Sequence, residues 1–230
     1  MGKPKAKKSS AKAPVPPTEP TTFSDGWTAV PPFLLYKGNT TAQGSSKVAA
    51  FDLDGTLILR RSESQWGPVD SNDWRWFNES VQDKLAEVCD SGYQIIIFSN
   101  QGTIKKALTG KASEKIRGLV DNVLKSLAGK GVQAQVLLAT ASPDQGDKFR
   151  KPSPGMWEFF VKNLNKSVSP ILDECFYVGD AAGRDTDINN GASSDKDFAA
   201  AVGIPFHLPE DYFGCAEATK YGENFVSFCD

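Results

Sequence analysis

The sequence from Lys47 to Leu59 is KVAAFDLDGTLIL, and this stretch decides the fold. Val48–Phe51 is a short apolar run, typical of a buried parallel strand, and Asp52 and Asp54 follow it directly. Alternate residues of a strand share a face, so we expect the two aspartates to point the same way. An Asp-Gly pair is also an ordinary turn signal, but two neighbouring carboxylates are costly unless a cation or a proton lies between them. The stretch therefore predicts a buried strand that ends in a candidate catalytic or metal-binding pair.

Hydrophobic periodicity beyond this strand alternates between helix and strand. Apolar residues at helical spacing predict helices within 81–92, 113–127 (with Ser113 as N-cap), 154–161 and 198–202. Apolar runs predict strands at 94–98, 132–139, 175–178 and 204–207. The segment 23–46 is expected to add an edge strand or to pack on the core. This alternation predicts an α/β fold with a doubly wound parallel sheet flanked by helices.

Polar residues follow three of the predicted strands. Asp52 and Asp54 follow the first, Ser99 and Asn100 the second, and Asp180 a later one. The carboxyl ends of parallel strands lie at one edge of a sheet, where ligands bind in open α/β folds. We therefore expect these side chains to meet in a single crevice.

The inventory of reactive side chains excludes several enzyme classes. The 4 cysteines are widely spaced, which favours reduced thiols over a disulfide framework or a zinc site. None of them has an arginine six positions later, so the loop of the cysteine phosphatases is absent. His207 is the only histidine, which leaves no residues for Ser/His or Cys/His catalysis or for a histidine metal cluster. Any enzymatic chemistry must then depend on carboxylates.

Charge is unevenly distributed along the chain. Residues 1–22 contain 5 lysines and 1 glutamate, a net charge of +4, so the total of −2 leaves −6 for the rest. This segment is rich in Lys, Ala, Pro and Ser, and we expect a disordered basic tail followed by one domain over residues 23–230. The tail could contact a phosphate backbone, act as a nuclear localisation signal or only aid solubility. No apolar run reaches the ~20 residues of a membrane helix and no signal peptide is visible, so we expect a soluble, intracellular protein without a membrane partner. The short Lys-rich runs favour a nuclear location, and we expect a monomer.

Several motifs resemble those of the haloacid dehalogenase (HAD)-like phosphatases: DLDGTL from Asp52, SNQ from Ser99, Lys151-Pro152, and Gly179-Asp180 with later acids. The chain is more closely similar to the DNA 3′-phosphatase domain of the polynucleotide kinase 3′-phosphatase family. That likeness extends over about residues 24–215 and includes FSNQG, VGDAAGR and VGIPF. The kinase motif G-x-x-x-x-G-K-[ST] is absent. The resemblance implies a HAD-type fold and hydrolysis of 3′-phosphate termini at DNA strand breaks, as a step of DNA repair.

The resemblance and the residue types together suggest a role for each candidate residue. Asp52 is the expected nucleophile, which forms an aspartyl-phosphate, and Asp54 is the expected general acid and then base. Ser99 and Asn100 are expected to bind the phosphoryl oxygens, and Lys151 to neutralise their developing charge. Mg²⁺ prefers oxygen ligands. The expected ligands are Asp52, the backbone carbonyl of Asp54, and Asp180. Asp195 is expected either to bind the metal through water or to orient Lys151.

The residues leave some alternatives open. Lys148 and Arg150 compete with Lys151 by position, and Asp185 and Asp187 compete with Asp195; the family pattern favours Lys151 and Asp195. Basic side chains that could follow a nucleic-acid backbone are Lys105, Lys106, Lys111, Lys115 and Arg184. Trp66, Trp74 and Trp76 could stack on bases, although packing is the commoner use of such residues.

Loop lengths suggest the size of the substrate. The gaps after Gly55 and after Ser99 are too short for a cap domain of ~50 residues, so we expect no cap and an open crevice that admits the end of a polymer. The favoured function is therefore a 3′-phosphatase whose partner is DNA with 3′-phosphate ends. The alternatives are an uncapped phosphatase for small molecules or phosphoproteins, and a non-catalytic module that binds DNA ends.

Overall fold

A computed structural model describes residues 18–39, 41–64, 67–104, 108–185, 191–217, 219–221 and 224–226. Strands and helices alternate along these residues, as the sequence predicts. The strands are β1 (Thr21–Thr22), β2 (Thr28–Val30), β3 (Leu34–Lys37), β4 (Val48–Phe51), β5 (Ile58–Leu59), β6 (Arg75–Trp76), β7 (Gln94–Asn100), β8 (Ala134–Ala139), β9 (Phe176–Val178), β10 (Phe206–His207), β11 (Thr219–Tyr221) and β12 (Asn224–Val226). The α-helices are α1 (Val81–Asp90), α2 (Lys111–Ala128), α3 (Gly155–Asn163), α4 (Ser194–Val202) and α5 (Pro209–Phe213).

The main sheet has the strand order β1-β2-β3-β8-β7-β4-β9-β10. The strands from β8 to β10 in this order are parallel, and β1, β2 and β3 form an antiparallel meander against β8. After the central β4, the chain first adds β7 and β8 on one side of this strand. It then adds β9 and β10 on the other side. The predicted doubly wound sheet is confirmed. The segment 23–46 supplies β2 and β3, but the edge strand on this side of the sheet is β1, which lies before that segment.

Side chains of the central strands alternate between two hydrophobic layers. Ala49 and Phe51 of β4 pack in the layer that contains α1 and α2, whereas Val48 and Ala50 pack in the layer that contains α3 and α4. All four side chains are fully buried. A strand covered on both faces is continuously apolar, which explains why β4 lacks the polar alternation of a surface strand.

Three local predictions need correction. Thr21–Thr22 pairs with β2, so ordered structure begins before the predicted boundary at residue 23. Ser113 is not an N-cap, because α2 begins at Lys111 and the Ser113 hydroxyl donates to the backbone oxygen of Leu108 at 2.5 Å. The predicted elements include no strand between residues 60 and 77, but β6 lies there and pairs with β5 in a short hairpin.

The cysteines also differ from expectation. Cys89 and Cys175 are free thiols, but Cys215 is disulfide-bonded, which contradicts the prediction that all thiols are reduced. Most of the predicted basic tail, residues 1–17, lies outside the described residues. Among the helices that are described, none combines the length and the apolar character needed to cross a bilayer.

Candidate active site

The carboxyl ends of β4, β7 and β9 lie side by side at one edge of the main sheet. Phe51, the last residue of β4, is in register with Ile97 on one side and Val178 on the other. The polar residues that follow these positions are therefore brought to the same edge. Asp52 and Asp180 are buried there, with 6% and 3% of their surfaces exposed. The predicted convergence of the strand ends is thus present in the structure.

Lys151 connects the buried acids. Its Nζ atom lies 2.5 Å from Oδ1 of Asp52 and 2.6 Å from Oδ1 of Asp195. It also donates to the backbone oxygen of Phe98 and to the hydroxyl of Tyr177, each at 2.8 Å. The three N–H donors of the ammonium group are shared among these four acceptors, which fix its position directly beside the expected nucleophile. This is the location that the neutralising cation of a phosphoryl-transfer site requires.

Three carboxylates form a candidate metal centre. Asp52, Asp180 and Asp195 each offer an oxygen, and these oxygens lie within 4.8 Å of one another. Oδ1 of Asp180 accepts a long hydrogen bond from Thr56 at 3.4 Å, whereas its Oδ2 is buried without a hydrogen-bond partner among the described residues. A buried carboxylate oxygen without a donor is costly unless a cation binds it. The donor set, oxygen atoms only, suits a hard divalent cation such as Mg²⁺.

The protonation equilibria of this cluster reflect its burial. The net pKa of Asp52 is raised to about 7. Burial is the main cause, Lys151 opposes it, and the charge of Asp195 adds to it. The pKa of Asp180 is also raised well above its ordinary value, by burial and by the charges of Asp195 and Asp52. Burial lowers the pKa of Lys151, but Asp195 and Asp52 outweigh that effect and the net change is upward. Without a bound cation, the cluster therefore holds protons that an exposed carboxylate would lose.

Asp54 occupies a different part of the site from the acid cluster. Its Oδ1 lies 3.0 Å from Nη2 of Arg60, and its Oδ2 accepts a hydrogen bond from Nε2 of Gln101 at 2.7 Å. The same Gln101 nitrogen donates to Oγ of Ser99 at 2.9 Å. Gln101 therefore ties the expected general acid to the expected phosphate-binding serine. Neither Arg60 nor Gln101 was a predicted site residue, although Gln101 belongs to the SNQ motif.

Asn100 contacts Lys151 through its side chain. Its Nδ2 donates to the backbone oxygen of Lys151 at 3.1 Å, and its Oδ1 accepts from the Lys151 backbone N–H at 3.0 Å. This paired contact anchors the loop that carries Lys151 to the end of β7. Phosphate binding by Ser99 and Asn100 stays a prediction. Asn100 also holds the backbone of Lys151 in place.

The alternative candidates for the roles of Lys151 and Asp195 do not join the buried acid cluster. Nζ of Lys148 lies 4.9 Å from the ring centre of Phe149, and Arg150 donates to the backbone oxygen of Ala141 at 2.9 Å, so neither takes the place of Lys151. Asp185 is exposed, and Asp187 lies outside the described residues.

The residues proposed for nucleic-acid contacts are only partly supported. Lys105, Lys106 and Trp66 lie outside the described residues, and Lys111 and Lys115 are exposed on α2. Arg184 forms an ion pair with Glu210. Trp74 and Trp76 pack edge to face, with ring centres 5.2 Å apart, against the hydrophobic layer of α1 and α2. Packing, the commoner use of tryptophan, therefore accounts for these two rings.

An open cleft of about 980 Å³ lies over this cluster. Asp52, Asp54, Lys151, Asp180 and Asp195 all line it. Further lining residues are Arg60, Ser64, Ser99, Asn100, Gln101, Thr103, Asp147 and Arg150. The predicted absence of a cap domain stays a prediction; between β4 and α1 the described residues form the β5–β6 hairpin and its loop.

Comparison with known protein families identifies the same region. A family model described as polynucleotide kinase 3 phosphatase matches residues 47–213, which contain all the strand-end residues described above. The matched segment is well over half of the chain.

Individual relatives agree with this match. The chain is 39% identical over 171 residues to the bifunctional polynucleotide phosphatase/kinase of Schizosaccharomyces pombe, which covers 74% of this chain and 38% of that protein. It is 31% identical over 193 residues to the polynucleotide 3′-phosphatase ZDP of Arabidopsis thaliana, with coverage of 81% and 27%. It is 30% identical over 209 residues to the polynucleotide 3′-phosphatase of Saccharomyces cerevisiae, with coverage of 72% and 87%. The chain thus spans less than half of the first two relatives and most of the third.

Solved structures show the same fold. A HAD-like phosphatase from Mesorhizobium loti superposes with a TM-score of 0.60 at 18% identity, covering 86% of this chain and 87% of that one. The D,D-heptose 1,7-bisphosphate phosphatase of B. bronchiseptica, solved with magnesium and phosphate, gives a TM-score of 0.50 at 21% identity and covers 70% and 78%. The fold is therefore that of the HAD-like phosphatases.

Proposed function

This chain belongs to the polynucleotide kinase 3 phosphatase family, and we propose that it removes the phosphate group from 3′ ends of DNA. The observation that carries the proposal is the buried contact of Asp52 with Lys151, beside Asp180 and Asp195, at the floor of an open cleft. A binding module needs neither a buried carboxylate nucleophile nor an ammonium group held against it. The names of the S. cerevisiae and A. thaliana relatives support a 3′-phosphatase in particular.

The proposed reaction has two steps. In the first, an oxygen of Asp52 attacks the phosphorus atom, the bond between phosphorus and the 3′ oxygen breaks, and Asp54 gives its proton to the leaving oxygen. In the second, water attacks the phosphorus of the aspartyl-phosphate, Asp54 accepts a proton from it, and Asp52 is released with inorganic phosphate. Lys151 offsets the negative charge on the transferring group in both steps.

The acid cluster fits a divalent metal ion, and we propose Mg²⁺ held by Asp52, Asp180 and Asp195 with the backbone carbonyl of Asp54. Oδ2 of Asp180, which has no hydrogen-bond partner in the described part of the chain, and the raised pKa values of Asp52 and Asp180 support this. Bound Mg²⁺ would supply positive charge that neutralises the carboxylates and the phosphoryl oxygens. Asp195 would combine this with its hydrogen bond from Lys151.

The open cleft supports a polymeric substrate. A crevice of about 980 Å³ that is not enclosed admits a strand end that continues beyond it, whereas an enclosed pocket would suit a small phosphate ester. We propose that the substrate is a 3′-phosphorylated DNA end at a strand break, and that the enzyme acts in the nucleus as a repair enzyme. The basic segment 1–22 supports an additional contact with the DNA backbone.

Phosphate release from matched substrates tests this function. A 3′-phosphorylated DNA oligonucleotide, the same oligonucleotide with a 5′-phosphate, and a soluble sugar phosphate would each be incubated with Mg²⁺ and with a chelator. We expect release from the 3′-phosphate substrate, dependent on Mg²⁺, with little release from the other two. Faster release from the sugar phosphate would instead assign the chain to small-molecule hydrolysis. Binding of the oligonucleotide without any release would assign it to DNA-end binding.

Substitution of the nucleophile tests the chemistry directly. Asp52→Asn keeps the shape of the side chain but removes the attacking carboxylate, so kcat should fall by at least about a thousandfold while oligonucleotide binding persists. Single-turnover phosphate release and fluorescence anisotropy of a labelled oligonucleotide measure the two effects. An unchanged rate would remove Asp52 from its role.

A further inference from the structure

The hydroxyl of Tyr177 contacts residues of the candidate active site, but Tyr177 does not line the cleft. Tyr177 is the middle residue of β9 and is fully buried in the layer of α3 and α4. Its ring packs edge to face against Phe198 of α4, with ring centres 5.2 Å apart. Because it is not a lining residue of the cleft, it has no access to a substrate bound there.

The hydrogen bonds of this hydroxyl have a defined direction. The ammonium group of Lys151 has only donors, so at 2.8 Å it donates to the Tyr177 oxygen. The hydroxyl proton is then available for Oδ1 of Asp195 at 2.9 Å, which is closer than its other acceptor, the backbone oxygen of Phe98 at 3.4 Å. Tyr177 therefore joins Lys151 and Asp195, two residues that do line the cleft.

The contacts of Lys151 fall into two groups during the proposed reaction. The contact with Asp52 changes, because Asp52 loses its free carboxylate when it becomes phosphorylated. The contacts with Tyr177, Asp195 and the backbone oxygen of Phe98 involve groups that form no bond with the substrate. These three acceptors can hold the ammonium group in the same place before and after phosphoryl transfer.

We propose that Tyr177 is a positioning residue, whose hydroxyl fixes the Lys151 ammonium and the Asp195 carboxylate relative to each other and to the transferring phosphoryl group. This inference rests on the proposed phosphatase function. A long lysine side chain with free rotation would spend part of its time away from the phosphoryl oxygens, and a fixed acceptor prevents this. Tyr177 thus acts through Lys151 and not through the substrate.

Tyr177→Phe tests the inference, because it removes one oxygen and keeps the ring that packs on Phe198. We expect kcat on the 3′-phosphorylated oligonucleotide to fall about tenfold, the scale of a lost hydrogen bond to a charged group, with KM unchanged. Tyr36→Phe is the matched control: Tyr36 lies in β3, packs on the same hydrophobic layer and contacts Phe159 instead of the site. It should leave both kcat and KM unchanged. Urea unfolding of each variant gives the folded fraction used to normalise kcat.

Each other outcome is decisive. If Tyr177→Phe lowers stability while kcat of the folded fraction equals that of the wild type, the hydroxyl is structural and the inference fails. The same holds if only KM changes, or if the variant does not fold. If the wild-type chain itself releases no phosphate from the oligonucleotide, the proposed function fails and this inference fails with it. An active wild type with an equally active Tyr177→Phe overturns the inference alone.

Discussion

Asp195 accepts three hydrogen bonds at the floor of the cleft. Lys151 and Tyr177 donate to its Oδ1 at 2.6 and 2.9 Å, and the backbone N–H of Ala181 donates to its Oδ2 at 3.0 Å. With 2% of its surface exposed, it is screened from water, and its charge acts at close range on Lys151. Asp185, the alternative candidate in the sequence, is exposed and does not belong to this cluster.

Asp195→Asn should therefore reduce activity strongly, whereas Asp185→Asn should not. The amide keeps the shape of the side chain but removes the charge that holds Lys151 and contributes to the metal centre, and we expect kcat to fall about a hundredfold. Asp185→Asn removes one exposed charge and should stay within about twofold of the wild type. Steady-state phosphate release from the 3′-phosphorylated oligonucleotide measures both. Equal losses in the two variants would contradict the assignment of Asp195.

The sequence identifies the strand-end acids but not the residues that orient them. Asp52 and Asp180 follow directly from the rule that parallel strands end at one edge. Tyr177 could not be found in this way, because in an apolar strand it is typical of a core residue and its hydroxyl partners come from distant segments. Arg60 was missed for a related reason: its contact with Asp54 depends on the turn that joins Asp54 to Ile58 of β5 by a backbone bridge.

At the scale of elements, the predicted helices and central strands exist, and the differences concern their ends. The strand β7 continues through Ser99 and Asn100, beyond its apolar run, because these residues pair with Leu138 and Ala139 of β8. A ladder of backbone hydrogen bonds does not depend on side-chain polarity, so apolar periodicity could not reveal this extension. The hairpin β5–β6 has two residues in each strand, too few to establish a period.

The turn after β4 requires glycine at residue 55 for two reasons. Gly55 has φ of +83°, a conformation that other residues rarely adopt. A Cβ atom there would also lie 2.7 Å from Cγ of Asp180, a contact that forces the carboxylate to move. The geometry of the turn and the geometry of the candidate metal centre are therefore coupled.

Gly55→Ala should consequently damage both stability and activity. Gly92→Ala is a matched control, because Gly92 has φ of +84° but a Cβ atom there would meet nothing within 4 Å. We expect both variants to lose about 1–2 kcal/mol of unfolding free energy from backbone strain, with an additional loss for Gly55→Ala. Only Gly55→Ala should lower kcat, by at least about tenfold, since it displaces Asp180. Urea unfolding and phosphate release measure the two quantities, and an active Gly55→Ala enzyme would show that Asp180 can move without consequence.

At the scale of the whole molecule, the two helical layers that bury the sheet also exclude water from its acidic edge. Asp52 and Asp180 are each at least nine-tenths buried, which disfavours their charged forms. The pKa of Asp52 is about 7 and that of Asp180 is higher than its ordinary value, against about 3.8 for an aspartate in an unfolded chain. Above this ordinary value the folded chain holds more protons than the unfolded chain. The stability of the metal-free protein should therefore fall as the pH rises from about 4 to 7.

If Mg²⁺ binds as proposed, it competes with these protons for the same carboxylate oxygens, so its stabilising effect should increase with pH. At about pH 5.5 the ion must displace protons from Asp52 and Asp180, whereas at about pH 8 Asp52 is largely ionised and binding costs less. We expect the increase in Tm on addition of Mg²⁺ to be larger at about pH 8 than at about pH 5.5. Asp180→Asn should reduce the increase at both values, while Asp185→Asn should not. Thermal unfolding by circular dichroism, with and without Mg²⁺, measures these shifts, and an increase that is equal at both pH values would place the ion away from the buried acids.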